Sequence, residues 1–429
     1  MNQPTVLLLS GGKSTRFWPL PHKMLLPFLG KPFIEHQINF LKTAGCRDIV
    51  VVISPEIATR IDGEGITVET QQGEGQAAAI LSARQYITDK PLLILNADDV
   101  ISPQLLSRLL EFSSRKNLLI GFHTTEYFPG GYLELAGKQV KRVIEKPGKD
   151  KTPSSYVRLV CDYFGRGTDI IPYLEKIPAK IRTDDQYEQA LSKMMAAGEQ
   201  FEMLPYTETW LPVKYPWHTL TAMDYYLSTV NESRIDSTAD VHNTATLTGS
   251  VILEAGVRVM EYAKLVGPLY IGKNTIIGNH TMVRSSMIGE NSVIGFGSDI
   301  TRSYIGSNTW LHTNYVGDSV LADNVGVGAG AVFANLRFDE KNVSSTIKKE
   351  RIDSGRSKLG VVIGENSRIG VGVHTMPGVK IGSNSVVGAC VLLDHDVPGN
   401  TRIFTKQSHT IMKNQESVST DRTGFRKQI

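Results

Sequence analysis

Leu269-Tyr270-Ile271-Gly272-Lys273-Asn274-Thr275-Ile276-Ile277-Gly278-Asn279-His280-Thr281-Met282-Val283-Arg284-Ser285-Ser286-Met287-Ile288-Gly289-Glu290-Asn291-Ser292-Val293-Ile294-Gly295 repeats an aliphatic residue followed by glycine at steps of about six residues or a multiple. The pair returns as Ile305-Gly306, Val316-Gly317, Ile363-Gly364, Ile369-Gly370 and Ile381-Gly382, so the pattern runs from about Ile235 to about Ile403. Each unit can form one flat wall of a triangular coil. The aliphatic residue points inward, and Gly, Asn or Asp takes the corner where left-handed dihedrals are needed. The spacing predicts a left-handed parallel β-helix of hexapeptide repeats. Its register breaks once, between Ala334 and Leu359, at a polar, lysine-rich segment. A solenoid places functional loops at such excursions.

The repeats divide the 429-residue chain, which exceeds what one core usually organises, into residues 1–230, 231–405 and a polar tail, 406–429. Upstream, strand-like runs at Val6–Leu9, Asp48–Ile53, Leu92–Leu95 and Leu118–Phe122 alternate with helical patterns at Ile34–Thr43 and Ala77–Tyr86. That order implies an α/β, Rossmann-like domain with a parallel sheet, crossover helices and a site at the strands' C-terminal ends. The net charge of +3 is spread along the chain and gives no nucleic-acid footprint. Cys46, Cys161 and Cys390 lie far apart without a CxxC pair, which argues against a disulfide framework or zinc knuckle. The first apolar run is too short for a signal sequence. A cytoplasmic protein without membrane segments is expected.

Leu9-Ser10-Gly11-Gly12-Lys13-Ser14-Thr15-Arg16 puts a glycine-rich turn after the first strand, where backbone N–H groups can cradle phosphate. With Phe17, Pro19-Leu20 and His22-Lys23-Met24-Leu25-Leu26-Pro27, it resembles the signature of sugar-1-phosphate nucleotidylyltransferases. Asn96-Ala97-Asp98-Asp99, Glu145-Lys146-Pro147 and Tyr215-Pro216-Trp217 extend the likeness over the domain. The resemblance implies a GT-A-like fold and in-line attack of a sugar-1-phosphate oxygen on the α-phosphate of UTP or dTTP. Catalysis of that kind is mostly positioning and charge neutralisation. It also implies roles: Gly11 and Gly12 around phosphate, Arg16 on the β- and γ-phosphates, Lys23 on the α-phosphate, Asp98 on Mg²⁺, Gln72 and Gly75 near the base, and Glu145 and Lys146 on the sugar and its phosphate. Three departures stand out. Ser14 replaces a glycine, Val160-Cys161-Asp162 stands where relatives have Asn-Ala-Gly, and His218 stands where they carry a second metal-binding aspartate.

On the helix, Leu311-His312-Thr313-Asn314-Tyr315-Val316-Gly317-Asp318 and Gly328-Ala329-Gly330-Ala331-Val332-Phe333-Ala334-Asn335-Leu336-Arg337 resemble the acetyltransferase half of the archaeal-type bifunctional enzymes that make UDP-N-acetylglucosamine. Moving an acetyl group from a thioester to a sugar amine requires the ammonium to lose a proton, a task suited to histidine. By this resemblance His312 is the base, Tyr315 and Asn335 position the amino sugar, and Lys341 meets its phosphate. Relatives can carry a further lysine where Ser344 stands. Acetyl-CoA would lie between adjacent β-helices of a homotrimer or dimer of trimers. Two other readings remain open: a nucleotidyltransferase whose β-helix is structural or regulatory, and an acetyltransferase whose N-terminal domain only binds ligand.

Overall fold

The computed structural model describes residues 3–61, 64–112, 116–177, 185–417 and 420–427. Its N-terminal part is built on a nine-stranded sheet. Strand Thr5–Ser10 pairs in parallel with Asp48–Ile53 on one side and Leu92–Asn96 on the other. These apolar runs are buried on both faces, as parallel strands under crossover helices must be. The helices form over Phe33–Thr43 and Gly75–Ser82, the second followed by a short 3₁₀ turn, Arg84–Tyr86.

The far half of the sheet departs from the all-parallel expectation. Tyr156–Phe164 runs antiparallel to both Leu92–Asn96 and Asn117–His123, and Gly131–Ala136 pairs antiparallel with Gln139–Glu145. For the last two strands the reason is connection length. Only Gly137-Lys138 joins the last two strands, with Gly137 at φ +64°, and a parallel crossover needs a dozen or more residues.

From Arg234–Ile235 to Arg402–Ile403 the chain winds through three parallel sheets of eight, nine and eight strands, the β-helix expected from the repeats. Ile271, Ile288, Ile305, Leu321, Ile363 and Ile381 stack in register, and each is almost completely buried. Burial of each such side chain contributes about 1.5–3 kcal/mol. Corner asparagines take left-handed dihedrals and hydrogen-bond upward: Asn324 Nδ2 donates to Asn366 Oδ1 at 2.8 Å, and Asn366 to Asn384 at 3.2 Å. The glycines after the aliphatic residues have a different cause. A Cβ on Gly289 would lie 2.5 Å from the Ser307 backbone nitrogen, so coil-to-coil contact, not dihedral freedom, requires glycine there.

The outward side of one solenoid wall is also apolar. Ile252, Tyr270, Met287, Tyr304, Val320 and Val362 join the buried cluster of the N-terminal part, and Tyr304 Oη donates to the Pro27 carbonyl at 3.0 Å. The excursion after Ala334 contains a hairpin, Ser344–Ile347 with Glu350–Asp353, whose Ile347 is buried in the same cluster. Among the described residues no helix is long and apolar enough to cross a membrane.

Candidate active sites

The first parallel strand delivers the glycine turn to a cavity of about 1740 Å³ at the sheet's C-terminal edge. Gly11 packs directly on Gln71, leaving no room for a Cβ, and Gln71 Nε2 donates to the carbonyls of Gly73 and Gly75 at 3.0 and 3.2 Å. One buried amide therefore ties both turns of the cavity together. Ser14 sits at φ +52°, the left-handed region that glycine occupies at lower cost, and opens the 3₁₀ turn Thr15–Phe17. Phe17 and Met24 are buried anchors, and each holds a neighbouring cation, Arg16 or Lys23, at the cavity wall.

Gly11, Gly12, Arg16, Lys23, Gln72, Gly75, Asp98, Glu145 and Lys146 all line this cavity. Lys23 Nζ donates to the Asp98 carboxylate and, at 3.1 Å, to the Val213 carbonyl. Burial alone would raise the Asp98 carboxyl, but the charge and hydrogen bond of Lys23, helped by Lys214, hold it below its ordinary value. Asp99 is pushed up to about 6 by burial and by the neighbouring Asp98 charge, although Trp210 Nε1 donates to it at 3.0 Å. Glu145 pairs with Lys146 at 3.0 Å.

Three features correct or extend the residue assignments. His218 does not line the cavity. Its Nδ1 lies 2.6 Å from the Pro212 carbonyl, to which the Nδ1–H tautomer donates, and 3.1 Å from the Lys214 backbone nitrogen, so the ring braces the loop and does not offer Nδ1 as a metal ligand there. Lys214, which the sequence reading passed over, faces Asp98 and Asp99, and its ammonium lies 4.6 Å from the Phe128 ring centre. Of Val160-Cys161-Asp162 only Val160 reaches the cavity. Cys161 and Asp162 are completely buried. Arg158 Nε donates to Asp162 Oδ1 at 3.2 Å and its Nη1 to Glu188 Oε1 at 2.6 Å, and both Arg158 and Glu188 border the cavity. The available signal was an arginine inside an apolar strand, Tyr156–Phe164, with Asp162 four residues on.

Burial lowers the His218 imidazole to about 4, against an unfolded value near 6.5. The folded state therefore resists a proton that the unfolded chain accepts. This stabilisation is complete above pH 6.5 and is lost as pH falls toward 4, amounting to about 3 kcal/mol. His218→Asn, whose Nδ2 can replace Nδ1–H as donor to the Pro212 carbonyl, is expected to flatten the fall in melting temperature between pH 7 and pH 5. Identical pH slopes in the two proteins would refute this assignment.

The second constellation lies on the solenoid. Asn335 Nδ2 donates to Asp318 Oδ2 at 2.6 Å and to Tyr315 Oη at 3.2 Å, while Arg302 holds both Asp318 oxygens at 2.7 and 2.8 Å. Gly317 leaves room for this pair, since a Cβ there would lie 2.5 Å from Asn335 Nδ2 and would push the two side chains from their present positions. His312 is exposed on the preceding turn. That turn is fixed by Asn314, which accepts from the His312 backbone N–H at 2.8 Å and donates to the Gly328 and Ala331 carbonyls of the next coil. Lys341 is exposed too, and among the described residues no side-chain hydrogen bond joins His312 or Lys341 to the Tyr315–Asn335 cluster. Asp318 and Arg302 belong to this cluster although the sequence reading gave them no role. Among the described residues no group of three or more His, Cys, Asp or Glu is placed to hold a metal.

Comparison with known proteins gives two family matches: residues 6–158 match the MobA-like NTP transferase domain, and residues 360–395 the bacterial transferase hexapeptide family (six repeats). Over nearly the whole chain there is similarity to the bifunctional protein GlmU of Methanococcus vannielii, 31% identical over 95% of this chain and 99% of the relative. A bifunctional sugar-1-phosphate nucleotidylyltransferase/acetyltransferase of Sulfurisphaera tokodaii is 31% identical over 91% of this chain and 97% of its own length. The bifunctional protein GlmU of Methanocaldococcus jannaschii is 29% identical over 93% and 97%, respectively.

Proposed function

This chain belongs to the family of bifunctional sugar-1-phosphate nucleotidylyltransferase/acetyltransferases, and we propose that it runs both reactions at the two constellations described above. Residues 1–230 carry nucleotidyl transfer, 231–405 carry acetyl transfer, and 406–429 form a tail. The reading is carried by the convergence of Arg16, Lys23, Asp98, Glu145 and Lys146 on one cavity, on a chain whose solenoid separately assembles Tyr315, Asp318 and Asn335.

In the first reaction the phosphate oxygen of N-acetylglucosamine or glucose 1-phosphate attacks the α-phosphorus of UTP or dTTP. The bond to the β-phosphate oxygen breaks and pyrophosphate leaves. Arg16 binds the β- and γ-phosphates, and Lys23 holds the α-phosphate where charge accumulates. Gln72 and Gly75 border the base, and Glu145 and Lys146 contact the sugar and its phosphate. Asp98 lines the cavity with a carboxylate held below its ordinary value by Lys23 and Lys214, and as a hard oxygen donor it would hold a Mg²⁺. When bound, Mg²⁺ adds charge neutralisation at the phosphates.

In the second reaction the amine of glucosamine 1-phosphate attacks the thioester carbonyl of acetyl-CoA. The carbon–sulfur bond breaks, and His312 takes the proton that the ammonium must lose. Tyr315 and Asn335 position the amino sugar, with Asn335 itself oriented by Asp318, and Lys341 meets the sugar phosphate. The exposed ridge in which His280 lies between Tyr262 and Phe296 offers an apolar surface for self-association, and the form proposed is the homotrimer or dimer of trimers that the family resemblance implies. Three free cysteines agree with a cytoplasmic setting.

A matrix of nucleoside triphosphates against sugar 1-phosphates, with acetyl-CoA added or omitted, tests the proposal. Pyrophosphate is expected with UTP or dTTP, and free thiol with acetyl-CoA and glucosamine 1-phosphate. Thiol without pyrophosphate under every pairing would instead favour the ligand-binding reading of the N-terminal domain.

A further inference from the structure

The hairpin that interrupts the solenoid does not stay with the acetyltransferase constellation. Its tip residue, Lys348, lines the nucleotidyltransferase cavity, and every other lining residue among those described comes from Leu9 to Lys214. The hairpin is rooted firmly. Lys380, whose side chain is 0% exposed, donates to Thr346 O at 2.6 Å, to Ser345 Oγ at 3.0 Å and to Asp396 Oδ2 at 2.6 Å. The same ammonium lies 5.5 Å from the Trp18 ring centre, and Ser383 Oγ donates to the Pro19 carbonyl at 3.3 Å. Trp18 follows Arg16 by two residues, so the hairpin base is docked beside the phosphate-binding turn.

Two observations point to an anionic ligand. First, Ile347 pairs with Glu350 across a two-residue turn whose central residues, Lys348 and Lys349, have φ of +47° and +75°. Such turns favour Asn-Gly, and unfavourable dihedrals kept at a cavity wall point to use. Second, the other cations of the cavity each have one of the protein's own carboxylates beside them, so their charge is partly balanced before any phosphate binds. Lys13 pairs with Glu74, Lys23 with Asp98, Arg84 with Glu175, Lys146 with Glu145 and Arg158 with Asp162 and Glu188, while Lys214 faces Asp98 and Asp99. Among the described residues only Arg16 and Lys348 of the cavity's Lys and Arg side chains lack a carboxylate facing them.

We infer that Lys348, supplied by the β-helix half, binds the terminal phosphates of the nucleoside triphosphate alongside Arg16, and so holds the pyrophosphate group as it leaves. The nucleotide site is completed by a segment that continues directly from Asn335 and Lys341 of the acetyltransferase constellation. This inference rests on the nucleotidyl-transfer reading above.

The test is pyrophosphate release by the full chain as a function of nucleoside triphosphate concentration at fixed sugar 1-phosphate. Lys348→Ala is expected to raise KM for the nucleoside triphosphate about five- to tenfold, the size of one partly exposed charge contact. It should weaken product inhibition by inorganic pyrophosphate by a similar factor and leave acetyl-CoA-dependent thiol release unchanged. Lys348→Arg should restore KM. Lys348→Gly relaxes the turn, so it should match or exceed the wild-type melting temperature while showing the same rise in KM, which separates loss of the charge from loss of the fold. An active wild type whose Lys348→Ala and Lys348→Gly variants keep its KM and its pyrophosphate inhibition would overturn the inference alone. A wild type that releases no pyrophosphate with any nucleoside triphosphate would overturn the reading beneath it.

Discussion

Lys23→Ala is expected to slow pyrophosphate release by about 10³-fold, the loss typical of removing one preorganised donor from a site of developing charge, or about 4 kcal/mol of transition-state stabilisation. The geometry gives the reason. Lys23 is held by Met24 from below and by the Val213 carbonyl beside it, so its ammonium is in place before substrate arrives. The substitution also strips Asp98 of its principal counter-charge and leaves Lys214 as the remaining cation that lowers it. Lys23→Arg should recover only part of the rate, because a planar guanidinium replaces a compact ammonium. Single-turnover kinetics with unchanged thermal melting would check the prediction. A loss below about tenfold would remove Lys23 from the transition state.

His312→Ala is expected to lower acetyl-CoA-dependent thiol release by about 10²–10⁴-fold, the usual contribution of a positioned general base. His312 has no side-chain bond to the Tyr315–Asn335 cluster, so the substitution should leave Asn335 in place on Asp318 and the melting temperature near that of the wild type. Its turn is set by Asn314, not by the imidazole. Raised amine concentration should not restore the rate to the wild-type value if proton removal is the lost function. Thiol release within about threefold of wild type would assign the chemistry to other groups, such as a water activated elsewhere.

The solenoid could be read from sequence because its rule is local and repeated: each aliphatic residue that stacks, from Ile271 through Ile381, is also the residue that marks the period. The glycines were found for a partly mistaken reason, since contacts such as that at Gly289 depend on the coil above, which a dihedral argument does not see. The parallel strands Thr5–Ser10, Asp48–Ile53 and Leu92–Asn96 announced themselves as apolar runs. Of the antiparallel half only Leu118–Phe122 did, because strands such as Gln139–Glu145 mix exposed and buried positions and carry Lys141 and Arg142 on the outside.

At the sites, residues carried by short contiguous motifs were legible, and residues brought in by topology were not. Lys214, Arg158, Glu188 and Lys348 reach the first cavity from separate elements with no shared spacing. Ser344-Ser345-Thr346-Ile347-Lys348-Lys349 reads as a solvated polar loop, yet Ser345 and Ile347 are buried, and the anchor that explains this, Lys380, lies in a later coil. His218, a metal-competent residue type at a motif position whose role the sequence left open, is turned to its own backbone by the helix that begins there.

Two active sites in one chain should be separable by single substitutions. The most direct test is to measure pyrophosphate release and thiol release side by side for wild type, Lys23→Ala and His312→Ala. The predicted result is reciprocal: Lys23→Ala loses pyrophosphate release and keeps thiol release, and His312→Ala does the opposite. Loss of both activities in either folded variant, or of neither in both, would contradict it.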